Sequence, residues 1–168
     1  PHDRPESDGT REGDATTRSV VHAHGGGERG LGYTYADLST ATLIDRTLAG
    51  IVRGHDLLSP QAAWLAMVQA IRNLGRPGIA SMAISAVDNA IWDLKARYLK
   101  VPLAQLLGAV RSNVMADGSG GFTSSTVAEL VEQLGGWAAG GLATVKMKVG
   151  RAPCADAGAG RSPLARQR

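Results

Sequence analysis

The hydrophobic and polar positions of the first 110 residues predict a β-hairpin followed by helices. Alternating patterns predict two strands, over 19–24 and 31–35. The glycine-rich segment 25–30 is predicted to be the turn between them. Apolar positions at helical spacing predict three helices, over 39–52, 60–74 and 79–98. A short helical turn is predicted after Pro102, and it ends at Gly108.

Cap residues and apolar stripes define these helices. We predict that Ser39 caps the first helix and that Ser59-Pro60 begins the second, because proline suits the first helical position. The third helix carries many alanines on its apolar stripe, which predicts close approach to a neighbouring element. Asp88 and Asp93 lie in that helix, and we interpret both as solvated or capping carboxylates. The predicted buried positions of the last two helices are Trp64, Val68, Ile71, Leu74, Met82, Ala83, Ala86, Val87, Ala90, Ile91 and Leu94.

The pattern changes after residue 110. It predicts a strand over 113–117, a flexible loop over 118–121, a helix over 127–139 capped by Thr126, and a strand over 143–149. This order predicts parallel strands joined by a right-handed crossover. A single such unit cannot bury both faces of its sheet, so the sequence predicts the beginning of a larger α/β domain. Residues 151–168 show no periodicity, and we predict that they are disordered.

Two lysines stand one residue apart inside the apolar strand 143–149. Side chains alternate between the faces of a strand, so Lys146 and Lys148 are predicted to share one face. Neighbouring ammonium groups repel each other, and together with partial burial this lowers the pKa of a lysine towards the range where the neutral amine is a base. One hypothesis is that Lys148 or Lys146 abstracts a proton. The alternative is an edge strand with two solvated lysines, which also discourages aggregation.

Charge and composition narrow the classes of function. The net charge of +3 comes from residues 151–168, with four arginines and one aspartate, so residues 1–150 are electrically neutral. This balance predicts no nucleic-acid partner. No run approaches the roughly 20 apolar residues of a membrane span, which predicts no membrane partner. The single cysteine, Cys154, fits a reducing compartment, so we predict a cytoplasmic protein.

Two further motifs are weak. His22 and His24 would share a strand face, but no third metal ligand lies near them in the sequence. The glycines of 118–121 suit a phosphate cradle, yet they match neither the dinucleotide-binding nor the Walker pattern. We therefore predict neither a metal site nor a phosphate site from these residues.

One long segment carries a specific signature. Residues 83–97 read AISAVDNAIWDLKAR, and PL at 102–103 and LLG at 106–108 follow. This signature resembles that of the mandelate racemase/muconate lactonizing enzyme family, a branch of the enolase superfamily. NLGRPG at 73–78 and VKMKVG at 145–150 are also similar to the family, and the resemblance covers roughly residues 14–150.

The resemblance implies an α+β capping domain (a β-hairpin plus a three-helix bundle) followed by the start of a modified TIM (β/α) barrel that is incomplete. The implied segments are a loop or mobile segment 1–18, the capping domain 19–110, the first βαβ unit of the barrel 111–150, and a tail 151–168 unlike the family. Residues around 8–18 would fall near the mobile loop that closes the family's site. Because a TIM barrel needs roughly 250 residues, we predict a chain truncated after the second barrel strand. The tail resembles the product of a frameshift.

The resemblance also implies a chemistry. It implies that Lys148 is the base that removes the proton α to a carboxylate and that Lys146 assists it and helps to neutralise the carboxylate. Mg²⁺ stabilises the resulting enediolate in the family. The family's metal ligands and its opposing acid/base group follow later barrel strands, so we predict that this chain lacks them.

Several functions stay open at this point. The implied substrate is a small carboxylate, a sugar acid, and acid-sugar dehydration is the first expected reaction. Racemisation or epimerisation and cycloisomerisation are the alternatives within the family. Another alternative is a catalytically inactive truncated protein, or a capping-domain fragment that binds a partner. Family members assemble into dimers or octamers, so a homo-oligomer is also left open.

Overall fold

The computed structural model describes residues 5–8, 10, 12, 13 and 15–150, which form two compact units. The hairpin–helix unit spans Thr17–Val110, and the lysine unit combines the described residues before position 17 with those from Arg111 onwards. The strands are β1 (Glu6–Ser7), β2 (Glu12–Gly13), β3 (Arg18–Gly25), β4 (Glu28–Tyr35), β5 (Asp117–Ser119) and β6 (Thr144–Lys146). The helices are α1 (Leu38–Leu43), α2 (Ala49–Val52), α3 (Pro60–Ala70), α4 (Ile79–Leu99), α5 (Leu103–Leu106) and α6 (Val127–Ala139).

Two short strands lie within the predicted loop over 1–18. β1 and β2 pair antiparallel, with Glu6 opposite Gly13 and Ser7 opposite Glu12. The loop prediction missed them because their pairing depends on the backbone, and their polar composition does not reveal it. The predicted disordered tail, residues 151–168, lies outside the described residues.

The hairpin has a tighter turn than the sequence predicted. β3 and β4 pair antiparallel, and Gly25 lies opposite Glu28. Gly26 and Gly27 form a two-residue turn, and their φ angles are +58° and +82°. Positive φ at both positions is typical of turns that match the twist of a hairpin. Gly30, which was predicted to lie in the turn, lies inside β4.

The glycines of β4 let α4 lie directly on the hairpin. A Cβ atom at Gly30 would overlap the carbonyl oxygen of Ala90, and one at Gly32 would overlap the carbonyl oxygen of Ala86. Ala86 and Ala90 are themselves completely buried. Small residues on both elements therefore bring the backbone of the helix against the backbone of the strand. The close approach predicted from the alanine stripe is confirmed.

The hydrophobic core of this unit lies between α3, α4 and the segment Ile44–Leu48. Met67 is completely buried although it was absent from the predicted set. Leu74 is 64% exposed because α3 ends at Ala70, so the helical periodicity no longer applies to it. Met82 is also exposed, contrary to prediction. The core residues are Leu48, Ala63, Met67, Ile71, Ala80, Ala83, Ile84, Val87 and Ile91. Within the described part of the chain, no helix has both the length and the apolar character that a membrane crossing requires.

The predicted first helix is interrupted. A π-helical segment, Ile44–Leu48, separates α1 from α2. The N-cap is Asp37 and not Ser39, since Asp37 Oδ1 accepts a hydrogen bond from the N–H of Ser39 at 2.8 Å. Serine and aspartate are both good caps, so the sequence pattern alone did not decide between them. Leu48, inside the π-helical segment, is completely buried.

Asp93 connects α4 to β4. Its Oδ2 accepts a hydrogen bond from the N–H of Leu31 at 2.8 Å and another from Nε of Arg97 at 2.8 Å. Burial by itself would raise the pKa of Asp93, but the hydrogen bonds from Arg97 and Leu31 outweigh it, and the pKa lies below its usual value. Asp93 is therefore not a cap, and its partly exposed carboxylate joins α4 to β4. Asp88 is half-buried, and its burial raises the pKa of its carboxyl group.

We expect Asp93→Asn to flatten the dependence of stability on acidic pH. A carboxyl group whose pKa is lower in the folded state stabilises the protein above its unfolded-state pKa, which is near 3.8 here, and loses this effect as the pH falls further. The free energy of unfolding, measured by urea titration between pH 2 and pH 6, should fall less steeply in the variant. Asp45→Asn, at an exposed position, is the control. Identical profiles for Asp93→Asn and the unmodified chain would contradict a lowered pKa of Asp93 in the folded state.

The lysine unit contains the predicted strand–helix–strand order. β5 and β6 pair in parallel, and α6 connects them, which confirms the parallel prediction. β5 lies at Asp117–Ser119, four residues later than the start of the predicted strand 113–117. The predicted loop glycine Gly118 is inside the strand and is buried. α6 covers the predicted range, with Thr126 as its cap.

We expect Thr126→Ala to destabilise the lysine unit by about 1 kcal/mol. Thr126 Oγ1 accepts a hydrogen bond from the N–H of Glu129, and the N–H of Thr126 donates to Oε2 of Glu129 at 2.8 Å. The substitution removes one half of this reciprocal capping box. Urea denaturation followed by circular dichroism measures the change. Ser124→Ala, at an exposed position in the same loop, should have little effect, and equal losses from both substitutions would argue against the cap.

Candidate functional site

The register of β5 and β6 determines the surroundings of the lysine pair. Asp117 lies opposite Thr144, Gly118 opposite Val145 and Ser119 opposite Lys146. Regular strand geometry ends at Lys146. The backbone pairing continues beyond it, because the N–H of Lys148 donates to the carbonyl oxygen of Gly121 at 2.9 Å. The predicted strand 143–149 is therefore shorter than expected: Lys146 is its last residue, and Lys148 lies beyond it with only its backbone N–H bonded to the neighbouring segment.

The two faces of this strand pair differ in their surroundings. A Cβ atom at Gly118 would overlap the indole ring of Trp137, so α6 covers the face of Gly118 and of its partner Val145. Side chains alternate along a strand, so Ser119 and Lys146 lie on the opposite face. Lys148 follows Lys146 by two residues, beyond the end of β6. Lys146 therefore lies on the face that α6 leaves open.

The open face carries groups suited to proton transfer. Lys146 is exposed and Lys148 is half-buried. A lysine amine in its neutral form accepts a proton, and a neighbouring ammonium group can offset a negative charge on a bound anion. Asp117 and Ser119 contribute a carboxylate and a hydroxyl group to the same face. Sequence reasoning missed both residues, because the register between strands 27 positions apart is a tertiary property.

The described residues do not fit a magnesium ion. Among them, no group of three or more His, Cys, Asp or Glu residues is arranged to hold a metal ion. Magnesium prefers carboxylate oxygens, and lysine has no acceptor atom when it is protonated.

His22 and His24 lie far from this site in the sequence and belong to the hairpin–helix unit. Both border a cavity of about 430 Å³, together with His55. The residues that line the cavity are largely apolar and include Val52 and Leu57. The two histidines therefore border a cavity lined by residues of the hairpin–helix unit.

Comparison with known proteins gives a consistent assignment. Residues 15–108, more than half of the chain, match the model of the mandelate racemase / muconate lactonizing enzyme N-terminal domain. The matched segment contains the hairpin, the alanine-rich helix and the turn that ends at Gly108.

Solved structures and curated proteins extend the match beyond that domain. A mandelate racemase/muconate lactonizing enzyme-like protein from Rubrobacter xylanophilus is 55% identical, with a TM-score of 0.92 over 99% of this chain and 46% of that chain. The 3,6-anhydro-alpha-L-galactonate cycloisomerase of Streptomyces coelicolor is 39% identical over 129 residues, 74% of this chain and 36% of that protein. The chain therefore spans about a third of this curated relative and under half of the solved structure.

A third relative is a dehydratase. The L-talarate/galactarate dehydratase of Salmonella typhimurium is 31% identical over 134 residues, 77% of this chain and 34% of that protein. Its crystal structure, liganded with Mg and L-lyxarohydroxamate, has a TM-score of 0.79 at 27% identity over 93% of this chain and 43% of that chain. The family match, the hairpin with its helices and the strand–helix–strand unit lead to one conclusion. The chain belongs to the mandelate racemase/muconate lactonizing enzyme family, and its residues 15–108 are the N-terminal domain of that family.

Proposed function

We propose that this chain supplies the proton-abstracting lysines of an enzyme that acts on sugar acids. The observation that supports the proposal is the position of Lys146 on the open face of the β5–β6 pair, with Lys148 two residues later and its N–H bonded to Gly121. If β5 and β6 are the first two strands of a TIM barrel, both lysines lie near the carboxyl ends of those strands. Active sites of TIM barrels lie at that end.

The proposed step uses two amines with different roles. The neutral amine of Lys148 takes the proton from the carbon next to the substrate carboxylate, and the electron pair of that C–H bond moves into the carboxylate. Lys146 remains an ammonium group and offsets the negative charge that develops there. The described residues contain no group of three metal-ligating side chains, so this step assigns roles only to the two lysines of this chain.

The relatives support a substrate class. Two of them are named for 3,6-anhydro-alpha-L-galactonate and for L-talarate and galactarate, which are all sugar acids. Each has an acidic C–H bond next to a carboxylate. We propose dehydration of an acid sugar as the reaction. Cycloisomerisation is the second candidate, because the 39% identical relative is a cycloisomerase.

The prediction that the 168-residue chain is inactive alone stays a prediction. We expect no α-proton exchange when this chain is incubated with sugar acids and Mg²⁺ in D₂O, because the described residues do not fit the metal. Exchange by the chain alone, lost on Lys148→Ala, would contradict this expectation. A capping-domain fragment that only binds a partner would show no exchange in any context.

A fusion protein tests the proposed function. Residues 1–150 are joined to the part of the Streptomyces coelicolor cycloisomerase that follows its matched segment. Proton NMR in D₂O with Mg²⁺ then follows the α-proton signal of 3,6-anhydro-alpha-L-galactonate, galactarate and L-talarate. We expect the α-proton signal of at least one acid to disappear. The C–H signals of the corresponding neutral alditol, which has no carboxylate, should stay. A folded fusion, judged by circular dichroism, that exchanges none of these acids would refute the proposal.

A further inference from the structure

A two-glycine segment after β5 is hydrogen-bonded to the backbone of both lysines. The N–H of Gly120 donates to the carbonyl oxygen of Lys146 at 3.3 Å. The carbonyl oxygen of Gly121 accepts from the N–H of Lys148 at 2.9 Å. Since β6 ends at Lys146, the second bond determines where the backbone of Lys148 lies.

Glycines alone do not hold such a segment in one conformation. Gly121 has a φ angle of +60°, and glycine loses more conformational freedom on folding than any other residue. An outside group must therefore restrain the segment. Gln133 on α6 provides this restraint, because its Oε1 accepts a hydrogen bond from the N–H of Gly121 at 2.9 Å.

The packing around Gln133 fits this role. A Cβ atom at Gly120 would lie 2.6 Å from Oε1 of Gln133 and 2.7 Å from the ring of Trp137. Glycine at position 120 therefore leaves the space that the amide group occupies. Both Gly120 and Gly121 are buried, and removal of the Gln133 amide group would leave the N–H of Gly121 without this acceptor.

We propose that Gln133 is a positioning residue for the lysine pair. It holds the Gly120–Gly121 segment, and this segment holds Lys148 in place relative to Lys146. α6 then carries no reacting group but controls the distance between the two amines, on which their electrostatic interaction depends. The catalytic consequence rests on the proposed function, whereas the structural step can be measured without activity.

Amide hydrogen exchange of the 168-residue chain tests the proposal. Gln133→Met keeps the length of the side chain and its helix propensity but removes the acceptor, whereas Gln133→Glu keeps an acceptor. We expect Gln133→Met to speed exchange at the amides of Gly121 and Lys148 roughly 2- to 10-fold, which is the effect of one lost hydrogen bond. In Gln133→Glu, exchange at the amides of Gly121 and Lys148 should stay as slow as in the unmodified chain. Glu132→Ala, at the neighbouring exposed position of α6, should leave both amides unchanged.

Two results would overturn the proposal. The first is an unchanged rate at the Lys148 amide in Gln133→Met. The second is equally faster exchange at all amides of β5, α6 and β6, because it would indicate a general loss of stability. Failure of the proposed function has a different signature: the fusion protein would exchange no α-proton even though Gln133 controls the Lys148 amide.

Discussion

Gly32→Ala is expected to destabilise the hairpin–helix unit by about 3 kcal/mol. The added Cβ atom would overlap the carbonyl oxygen of Ala86 and would lie 2.7 Å from the backbone nitrogen of Ala90. These are backbone atoms of a buried helix, so no flexible side chain can move aside. Either β4 or α4 must shift, and the core between α3 and α4 would lose packing as a result. Thermal and urea denaturation followed by circular dichroism measure the loss.

Gly50→Ala is the matched control for this prediction. Gly50 lies in α2, and nothing surrounds the position of its added Cβ atom within 4 Å. Alanine has a higher helix propensity than glycine, so we expect stabilisation by roughly 0.5–1 kcal/mol. The same chemical change thus has opposite signs at two positions of one unit. A Gly32→Ala variant as stable as the unmodified chain would show that the helix does not approach the strand this closely.

Lys148→Ala is expected to lower the rate of α-proton exchange by the fusion protein about 10³-fold, within the range that a positioned general base contributes. The substitution leaves the backbone N–H of Lys148 and its hydrogen bond to Gly121 in place. The loss would therefore report the amine and not the fold. Lys148→Arg should be as inactive as the alanine variant, because a guanidinium group keeps its charge and cannot act as a base.

A second lysine provides the comparison. Lys100→Ala removes an exposed lysine of the hairpin–helix unit and should leave the rate of exchange unchanged. A Lys148→Arg fusion that retains full exchange would assign a purely electrostatic role to position 148. The rate of exchange of the α-proton, measured by NMR, distinguishes these outcomes for each variant.

Local signals in the sequence predicted most elements of secondary structure. Ser59-Pro60 correctly placed the start of α3, and Thr126 correctly placed the start of α6. The signals failed where local chemistry allowed two answers. Asp37 and Ser39 are both good caps, and the π-helical segment between α1 and α2 leaves no mark in the apolar spacing. Gly118 looked like part of a loop because its strand position depends on Trp137, 19 residues away.

By itself, the sequence determined the hairpin with its helices, the strand–helix–strand order and the family, because these follow from short-range spacing and a specific signature. The tertiary structure alone decided that Gly32 lies against Ala86, that Asp93 bonds to Leu31, and that Ser119 lies opposite Lys146. These contacts join residues that are 27 to 62 positions apart. Their geometry depends on strand register and on the distance between packed elements, and neither quantity is encoded in the periodicity of one segment.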